Sequence, residues 1–337
     1  MRRPGLDAVR AVAALLVVVS HLEIPHLSEA GTTGVTIFFV LSGYLITGIL
    51  VKERRRTGTI HLGAFYLRRA RRLLPALVPN ILVVVALLEV VTHQHAALWP
   101  ILGAFTYTFN WLAILFHGYG PADPFGYFWS LSVEEHFYLV WPVLLLGLSR
   151  WLSVRRLLLV TLGLLTISLA WRLTFWDAWL NRVYMGSDTE AYSLLAGCAL
   201  ALAEESGLNW RPSWWAVMPA VAAVAASCYL VQPTHVFELV QPTVVAGSVI
   251  LVARARAAAA APRALVEIGL QSYGLYLWHV PLLFLAYQLT LPRVVAAAAG
   301  LIVTGVLVTL SYRFVEQPFL RWRSPSAPAI KPVPLAA

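Results

Sequence analysis

The sequence predicts an all-α fold: a polytopic membrane helical bundle of about ten spans, with a re-entrant segment near residues 96–116 and both termini cytoplasmic. Three observations predict it. Of 337 residues, 59% are hydrophobic and 12% charged, a balance foreign to soluble globular chains. Apolar stretches of bilayer length recur from end to end and leave no room for a sizeable soluble domain. The net charge of +9 is gathered into short loops, as the positive-inside rule expects, and not spread as a nucleic-acid-binding face.

The elements follow in order. Met1 to Gly5 is a short basic tail. Residues 8–24 form the first span, running outward; with Arg10 and His21 inside it and no small-residue cleavage site, it reads as a retained span and not a signal peptide. After an outer loop at 25–33, span two (34–51, GVTIFFVLSGYLITGILV) returns inward, with Gly34, Ser42 and Gly43 as small residues that permit close helix approach. Between Lys52 and Arg72 stand seven arginines and one lysine, which mark that side as the inside. Span three covers 73–92.

Residues 96–116 raise a question of parity. One full crossing there would put the later basic loop SRWLSVRR (149–156) outside. Pro100, Gly103, Thr106, Thr108 and Asn110 interrupt the apolar run, so the segment reads as dipping in from the outer side and returning. Such backbone survives at depth only when buried in protein or lining a wet cavity. The remaining spans then alternate: 133–149, 156–174, 190–204, 214–231, 240–254, 272–290 and 294–314. Residues 1–323 make one integral domain, and the Pro-, Ala- and Ser-rich stretch 324–337 reads as a disordered tail. No internal repeat is visible. Cys198 and Cys228 lie in apolar segments and read as small core residues.

Ionisable groups inside apolar segments carry the functional information: Arg10, His21, Glu134, Glu135, His136, Glu190 and His279. Asp7 and the arginines near span ends have snorkelling as a simpler account. Arg10 and His21 are eleven positions apart. On a helix they share one face, about 16 Å apart along the axis. A guanidinium and an imidazole so aligned in a membrane need a polar cleft to face. His21 is suited to take a proton from a hydroxyl; the plainer reading is a histidine bonding a neighbouring helix. Arg10 suits an anionic ligand or a pairing with Asp7.

In FYLRRARRLLP (65–75), Arg68, Arg69, Arg71 and Arg72 read either as topology anchors or as a clamp for the phosphates of a cytoplasmic donor such as coenzyme A. In FWSLSVEEHFYLVWP (128–142), Ser132 is placed as an N-cap, with Glu134 and Glu135 in the first turn as helix-stabilising acids or as site carboxylates. They point about 100° apart, so one at most faces the cleft. SYGLYLWHVP (272–281) offers His279 within an aromatic-rich start that also suits an interfacial belt. There is no GxSxG, HExxH, Ser-xx-Lys or Gly-rich phosphate loop, and His93 and His95 are too sparse to argue for a metal.

Together these motifs resemble the acyltransferase-3 family of integral membrane acyltransferases. The likeness rests on Arg10 and His21 as an Arg-x10-His pair, then GVTIFFVLSGYLIT, FYLRRARRLLP, FWSLSVEEHFYLVWP, SYGLYLWHVP and FVEQP, in the family's order. The resemblance implies ten spans, acyl-CoA as donor without a metal, and a sugar-borne hydroxyl as acceptor. It implies His21 as catalytic residue with Arg10 as its partner, and the run at Arg68, Arg69 and Arg72 as donor-binding. Glu134 and Glu135 join the catalytic candidates, Arg71, Ser42 and Tyr44 the donor-binding ones, and Asn110, Trp129, Asp188 and His279 the acceptor-binding ones. Asn110, Tyr44 and Ser42 are the candidate oxyanion donors.

Two departures stand out. Asp188-Thr189-Glu190 replaces a usual Asp-Thr-Arg, removing a cation, and His136 stands where Gln is usual. Some relatives carry a C-terminal esterase-like domain; the chain as given stops at Ala337, which implies action alone or with a separate partner.

The expected activity is therefore transfer of an acetyl or other short acyl group to a cell-surface glycan, lipid-linked sugar or glycosylated metabolite, in the inner membrane of a bacterium, with His21 as general base or as the residue that itself carries the acyl group. A transporter or flippase without chemistry is the alternative class.

Overall fold

A computed structural model describes residues 3–93, 97–116, 124–175, 180–230 and 235–321. His95 and the tail expected to be disordered lie outside the described residues. The helices are α1 (Pro4–Ser20), α2 (Ala30–Thr57), α3 (Leu62–Thr92), α4 (Leu98–Thr106), α5 (Phe109–Phe116), α6 (Phe128–Ser149), α7 (Val154–Leu173) and α8 (Leu180–Met185). They continue with α9 (Ser187–Glu205), α10 (Trp214–Leu230), α11 (His235–Ala255), α12 (Arg263–Leu270), α13 (Ser272–Tyr287) and α14 (Arg293–Leu310). A π-helical turn at Ser311–Glu316 leads into α15 (Gln317–Arg321). Among the described residues there is no strand.

Contacts at the two ends show how the helices alternate. At one end, Arg3 before α1 reaches Tyr44 of α2 and Glu204 of α9, and Arg256 after α11 meets the same Glu204 at 2.8 Å. At the other, Arg172 of α7 meets Glu190 of α9, and the Tyr287 hydroxyl of α13 reaches the carbonyl that follows α1, at His21. The α2–α3 turn, with its arginines, belongs to the first end.

Helices Ala30–Thr57, Leu62–Val91, Phe128–Ser149, Val154–Leu173 and Arg293–Phe319 are long and apolar enough to cross a membrane. Apolar side chains such as Leu82, Leu139, Leu159, Ile167 and Ile302 stay exposed on the outer surface, as a hydrocarbon surround allows.

Close approach needs small residues where lipid offers no hydrophobic drive. α2 meets α1 at Gly34, where a Cβ would crowd the Ala13 carbonyl. It meets α9 at Gly43, where a Cβ would strike the Leu194 carbonyl, and Gly197 of α9 is in the same position against Val40. Cys198 beside it is buried and free, as is Cys228.

Within the segment 96–116, the described residues 97–116 fold as a helical hairpin. Tyr107, with φ of 56°, breaks it between α4 and α5. Gly103 lets α4 close on α5: a Cβ there would sit 2.9 Å from the Phe109 Cα. The ring of Trp99, near the start of α4, lies 5.8 Å from that of Phe116, the last residue of α5, tilted by 46°. The two arms therefore return to one place, where a straight helix of that length would separate its ends by about 25 Å.

Three element boundaries differ from the sequence reading, each for a local reason. α3 starts at Leu62, not 73, so the arginine run is helix and not loop. α6 starts at Phe128, so Ser132 is no N-cap; its hydroxyl donates to the Phe128 carbonyl at 2.9 Å, and Glu134 and Glu135 lie two turns inside. α1 ends at Ser20, and His21 is its cap rather than a residue of an unbroken span to 24.

Candidate functional site

Helices α1, α2, α3, α6 and α13 enclose a cavity of about 340 Å³. Its polar wall carries Arg10, Ser42, Arg69, Arg72, Ser130, Glu134, Tyr138 and Tyr276. Helical periodicity selects among the arginines. Arg69 and Arg72, three apart, share the cavity face, while Arg68 and Arg71 do not line it. Arg68 instead pairs with Glu53 at 3.6 Å, in the exposed turn where Glu53 also takes the His61 ring at 3.0 Å.

The cavity cations differ in their partners. Arg10 bonds Asp7 one turn back at 3.2 Å. Arg69 is held by both oxygens of Glu135 through its Nε, at 2.9 and 2.8 Å, and stacks over the Tyr138 ring. Arg72 makes no ion pair within 4 Å among the described residues, with Glu316 and Glu135 lying within its electrostatic reach. Of the two adjacent carboxylates, Glu134 faces the cavity and accepts from Ser42 and, at 2.5 Å, from Tyr138; Glu135 faces α3. One carboxylate thus faces the cleft, as the helical spacing requires.

Above the cavity roof lie two histidines. His21 caps α1; its Nδ1 is 2.8 Å from the Val17 carbonyl, which can only accept, so Nδ1 carries the proton and Nε2 is the basic nitrogen. Ser20 adds a hydroxyl 3.2 Å from the same Nδ1. The Tyr287 hydroxyl donates to the His21 backbone carbonyl at 3.5 Å. The ring of His279 stands edge-on to His21, centroids 5.1 Å apart and planes at 78°.

His279 is fully buried. Its Nδ1 donates to the Leu275 carbonyl at 2.9 Å, and its Nε2 has no partner. A buried acceptor left so costs roughly 1–3 kcal/mol. One turn before it, Tyr276 lines the cavity, bonds Ser130, and lies 5.7 Å from His279. Arg10 borders the cavity; His21 does not, and is reached from it through Tyr276 and His279.

The other candidates lie elsewhere. Tyr44 points away from the cavity, buried, donating to Glu204 at 2.6 Å. Asn110 is buried where the hairpin meets α9; its Nδ2 donates to the Met185 carbonyl and the Ser187 hydroxyl, both at 2.9 Å. The same hydroxyl is 2.7 Å from His136 Nδ1. Trp129 packs 4.3 Å from the Tyr184 ring. The three expected oxyanion donors are all committed: Ser42 to Glu134, Tyr44 to Glu204, Asn110 to α8 and α9.

Asp188 is gripped by Arg182 at 3.0 and 2.6 Å and by the Trp171 indole at 2.7 Å. Glu190 meets Arg172 at 2.6 Å, both almost wholly buried. The cation that Glu190 removes from the local sequence is thus supplied by α7 and α8. Arg172 is 1% exposed and cannot be snorkelling, contrary to the reading of end-of-span arginines. Arg172, Tyr138, Ser130 and Tyr276 are the residues sequence reasoning passed over. The last had a signal, its position one turn before His279. Among the described residues, no three His, Cys, Asp or Glu side chains converge to hold a metal.

Comparison with known proteins gives this arrangement its context. Residues 3–313 match the acyltransferase-3 family, described as an acyltransferase domain. The peptidoglycan O-acetyltransferase OatA of Listeria monocytogenes is 34% identical over 347 residues, covering 94% of this chain and 55% of the relative. YrhL of Bacillus subtilis is 32% identical over 345 residues, with 94% and 54% covered. The O-acetyltransferase OatA of Staphylococcus aureus is 30% identical over 343 residues, with 94% and 57% covered. The chain spans about half the length of the curated relatives it matches. No solved structure matches it. The chain belongs to the acyltransferase-3 family.

Proposed function

We propose that this acyltransferase-3 family member moves an acetyl or similar short acyl group from cytoplasmic acyl-CoA, across the inner membrane of a bacterium, to a hydroxyl of a sugar-containing acceptor. The relatives named as peptidoglycan O-acetyltransferases favour a glycan of the cell wall as that acceptor. One observation carries the reading: a cavity lined at one end by an arginine in no close ion pair among the described residues, and roofed at the other by Tyr276 beneath the His279–His21 pair.

The charge pattern favours the cytoplasmic side for the arginine end. Arg72, in no close ion pair among the described residues, binds a donor phosphate there, and Arg10 and Arg69, each paired with a carboxylate, flank the pantetheine arm as hydrogen-bond donors. Glu135 fixes the Arg69 side chain, and Glu134 stays hydrogen-bonded to Ser42 and Tyr138. The cavity volume suits the acyl-bearing arm and not the nucleotide, which remains at the mouth.

At the other end, the Val17 carbonyl leaves His21 Nε2 as general base. It takes the acceptor hydroxyl proton as the oxygen attacks the thioester carbon. The tetrahedral oxyanion accepts from the Tyr276–Ser130 hydroxyl pair on the cavity wall, where the expected donors are already spent. Collapse expels the thiolate, and His21 returns the proton to it. Asp188, Arg182 and Trp171 form the polar surface on the acceptor side.

The test is direct. Purified protein in nanodiscs, given radiolabelled acetyl-CoA and N-acetylglucosamine oligomers or peptidoglycan fragments, should form a labelled ester, and His21→Ala should form none while remaining folded. Label on the saccharide in that variant would remove His21 from the chemistry. No ester with any saccharide would favour a transport role instead.

A further inference from the structure

The lining residues of the cavity mark where it stops. α2 runs toward the arginine end and lines the cavity from Val35 to Ile49. α6 runs the same way and lines it from Ser130 to Tyr138; α13 runs the other way, from Ser272 to Tyr276. At the histidine end the cavity therefore closes at the level of Val35, Ser130 and Tyr276. His279, one turn beyond Tyr276, is outside it.

The closed end is built differently from the rest. Its wall is Val35, Phe38, Phe39 and Leu131, and its polar groups are the hydroxyls of Ser130 and Tyr276. Arg10 turns its guanidinium back along α1 to Asp7, toward the arginine end. The wall is also held in place. Val35 is 6% and Phe39 2% exposed, and the Phe39 ring stands edge-on to Trp129 with centroids 6.2 Å apart. The half-buried Phe38 ring stands edge-on to Tyr276 itself, centroids 6.2 Å apart and planes at 85°. Phe38 thus sits beside the hydroxyl pair to which the proposed reaction gives the acyl oxygen, and the carbons that follow the acyl carbonyl meet its ring.

Length makes this wall a gauge. The α2 lining covers fourteen residues from Ile49 to Val35, about 21 Å of helix. Extended pantetheine spans about 14 Å, as four residues of extended backbone do. A phosphate at Arg72 and a thioester at the Ser130–Tyr276 pair fix both ends of the arm, so the acyl group alone is left to vary against the wall.

We propose that Phe38, backed by Val35 and Phe39, is the stop that sets acyl length: the cavity takes an acetyl group and rejects unbranched acyl chains of four carbons or more. This rests on acyl-CoA being the donor, and it names which acyl-CoA. A packed apolar wall discriminates by about tenfold or more for each added methylene.

The test reads a ratio of donors. Wild type in nanodiscs, with one saturating glycan acceptor, is given acetyl-CoA or butyryl-CoA. kcat/KM for butyryl-CoA should lie about a hundredfold below that for acetyl-CoA, two methylenes at about tenfold each. Phe38→Ala should bring the two donors within about threefold of each other, and Phe38→Leu, which keeps more of the wall, should fall between. A ring that only packs the helices would lower both donors together. Wild type that transfers butyryl as well as acetyl overturns the stop, as does an unchanged ratio in whichever variant folds.

Binding reads the same wall without turnover. S-ethyl-CoA and S-butyl-CoA are thioethers that cannot be transferred. Titrated into wild type, the butyl compound should bind about a hundredfold more weakly than the ethyl one, and Phe38→Ala should close that gap. If both bind wild type equally, the stop fails and the donor reading stands. If neither binds and no acyl-CoA is used, the donor reading fails and takes the stop with it.

Discussion

The two ends of the site handle polarity in opposite ways. At the arginine end, charge is plentiful and mostly neutralised: Asp7 holds Arg10, Glu135 holds Arg69 and Glu53 holds Arg68, while Arg72 lines the cavity with no ion pair closer than 4 Å among the described residues. At the histidine end, both rings are locked by backbone carbonyls; His21 is half-buried, and His279 is fully buried with one acceptor left bare. In the proposed reaction the charged end binds the donor, and the drier end around the buried His279 does the chemistry. The difference lies in solvent access, since the same polar group costs far more when nothing can replace its partner.

That contrast can be broken by experiment. His21→Ala should lower kcat/KM for transfer about a thousandfold or more, with the protein still monodisperse in detergent, as loss of a positioned base at the dry end requires. A loss of tenfold or less would put the chemistry elsewhere. The buried Arg172–Glu190 pair tests dryness by stability: Glu190→Ala should cost about 3–5 kcal/mol, and Arg172→Met with Glu190→Met should restore most of it. Melting in detergent reads both, and a single variant as stable as the double would show that water reaches the pair.

The arginine end should respond more mildly. Arg72→Gln should raise KM for acetyl-CoA about tenfold with kcat little changed, the loss of one charged hydrogen bond of about 1.5 kcal/mol. A kcat effect without a KM effect would move Arg72 from donor binding to the reaction itself. Arg68→Ala should change neither parameter by more than about twofold, since an exposed ion pair is worth little. A large KM increase there would extend the donor site out to the α2–α3 turn.

Much of the fold was legible in the residues. Gly34 and Gly43 announced where α2 is crossed closely, and both positions exclude a Cβ. Pro100, Gly103 and Asn110 announced an interrupted segment, and the chain turns back at Tyr107. The 100° offset between Glu134 and Glu135 announced that they part company, and they do. Boundaries were less legible. The arginine run in α3 has loop-like charge but helix-forming residues, so helix propensity and burial of Arg69 carried the helix back to Leu62.

What the sequence determined by itself was local and periodic: apolar length, charge segregation, small residues at crossings, and which side chains share a face. These follow from a repeat of 3.6 residues and from the cost of charge in hydrocarbon, and neither needs a partner to be known. What only the tertiary structure decided was pairing. It chose Arg69 and Arg72 over Arg68 and Arg71, turned Tyr44 away from the cavity, gave Glu190 a buried arginine from another helix, and set His279 against His21 across more than 250 residues of chain. Partners far apart in sequence leave no periodic trace, because their meeting depends on how whole helices pack.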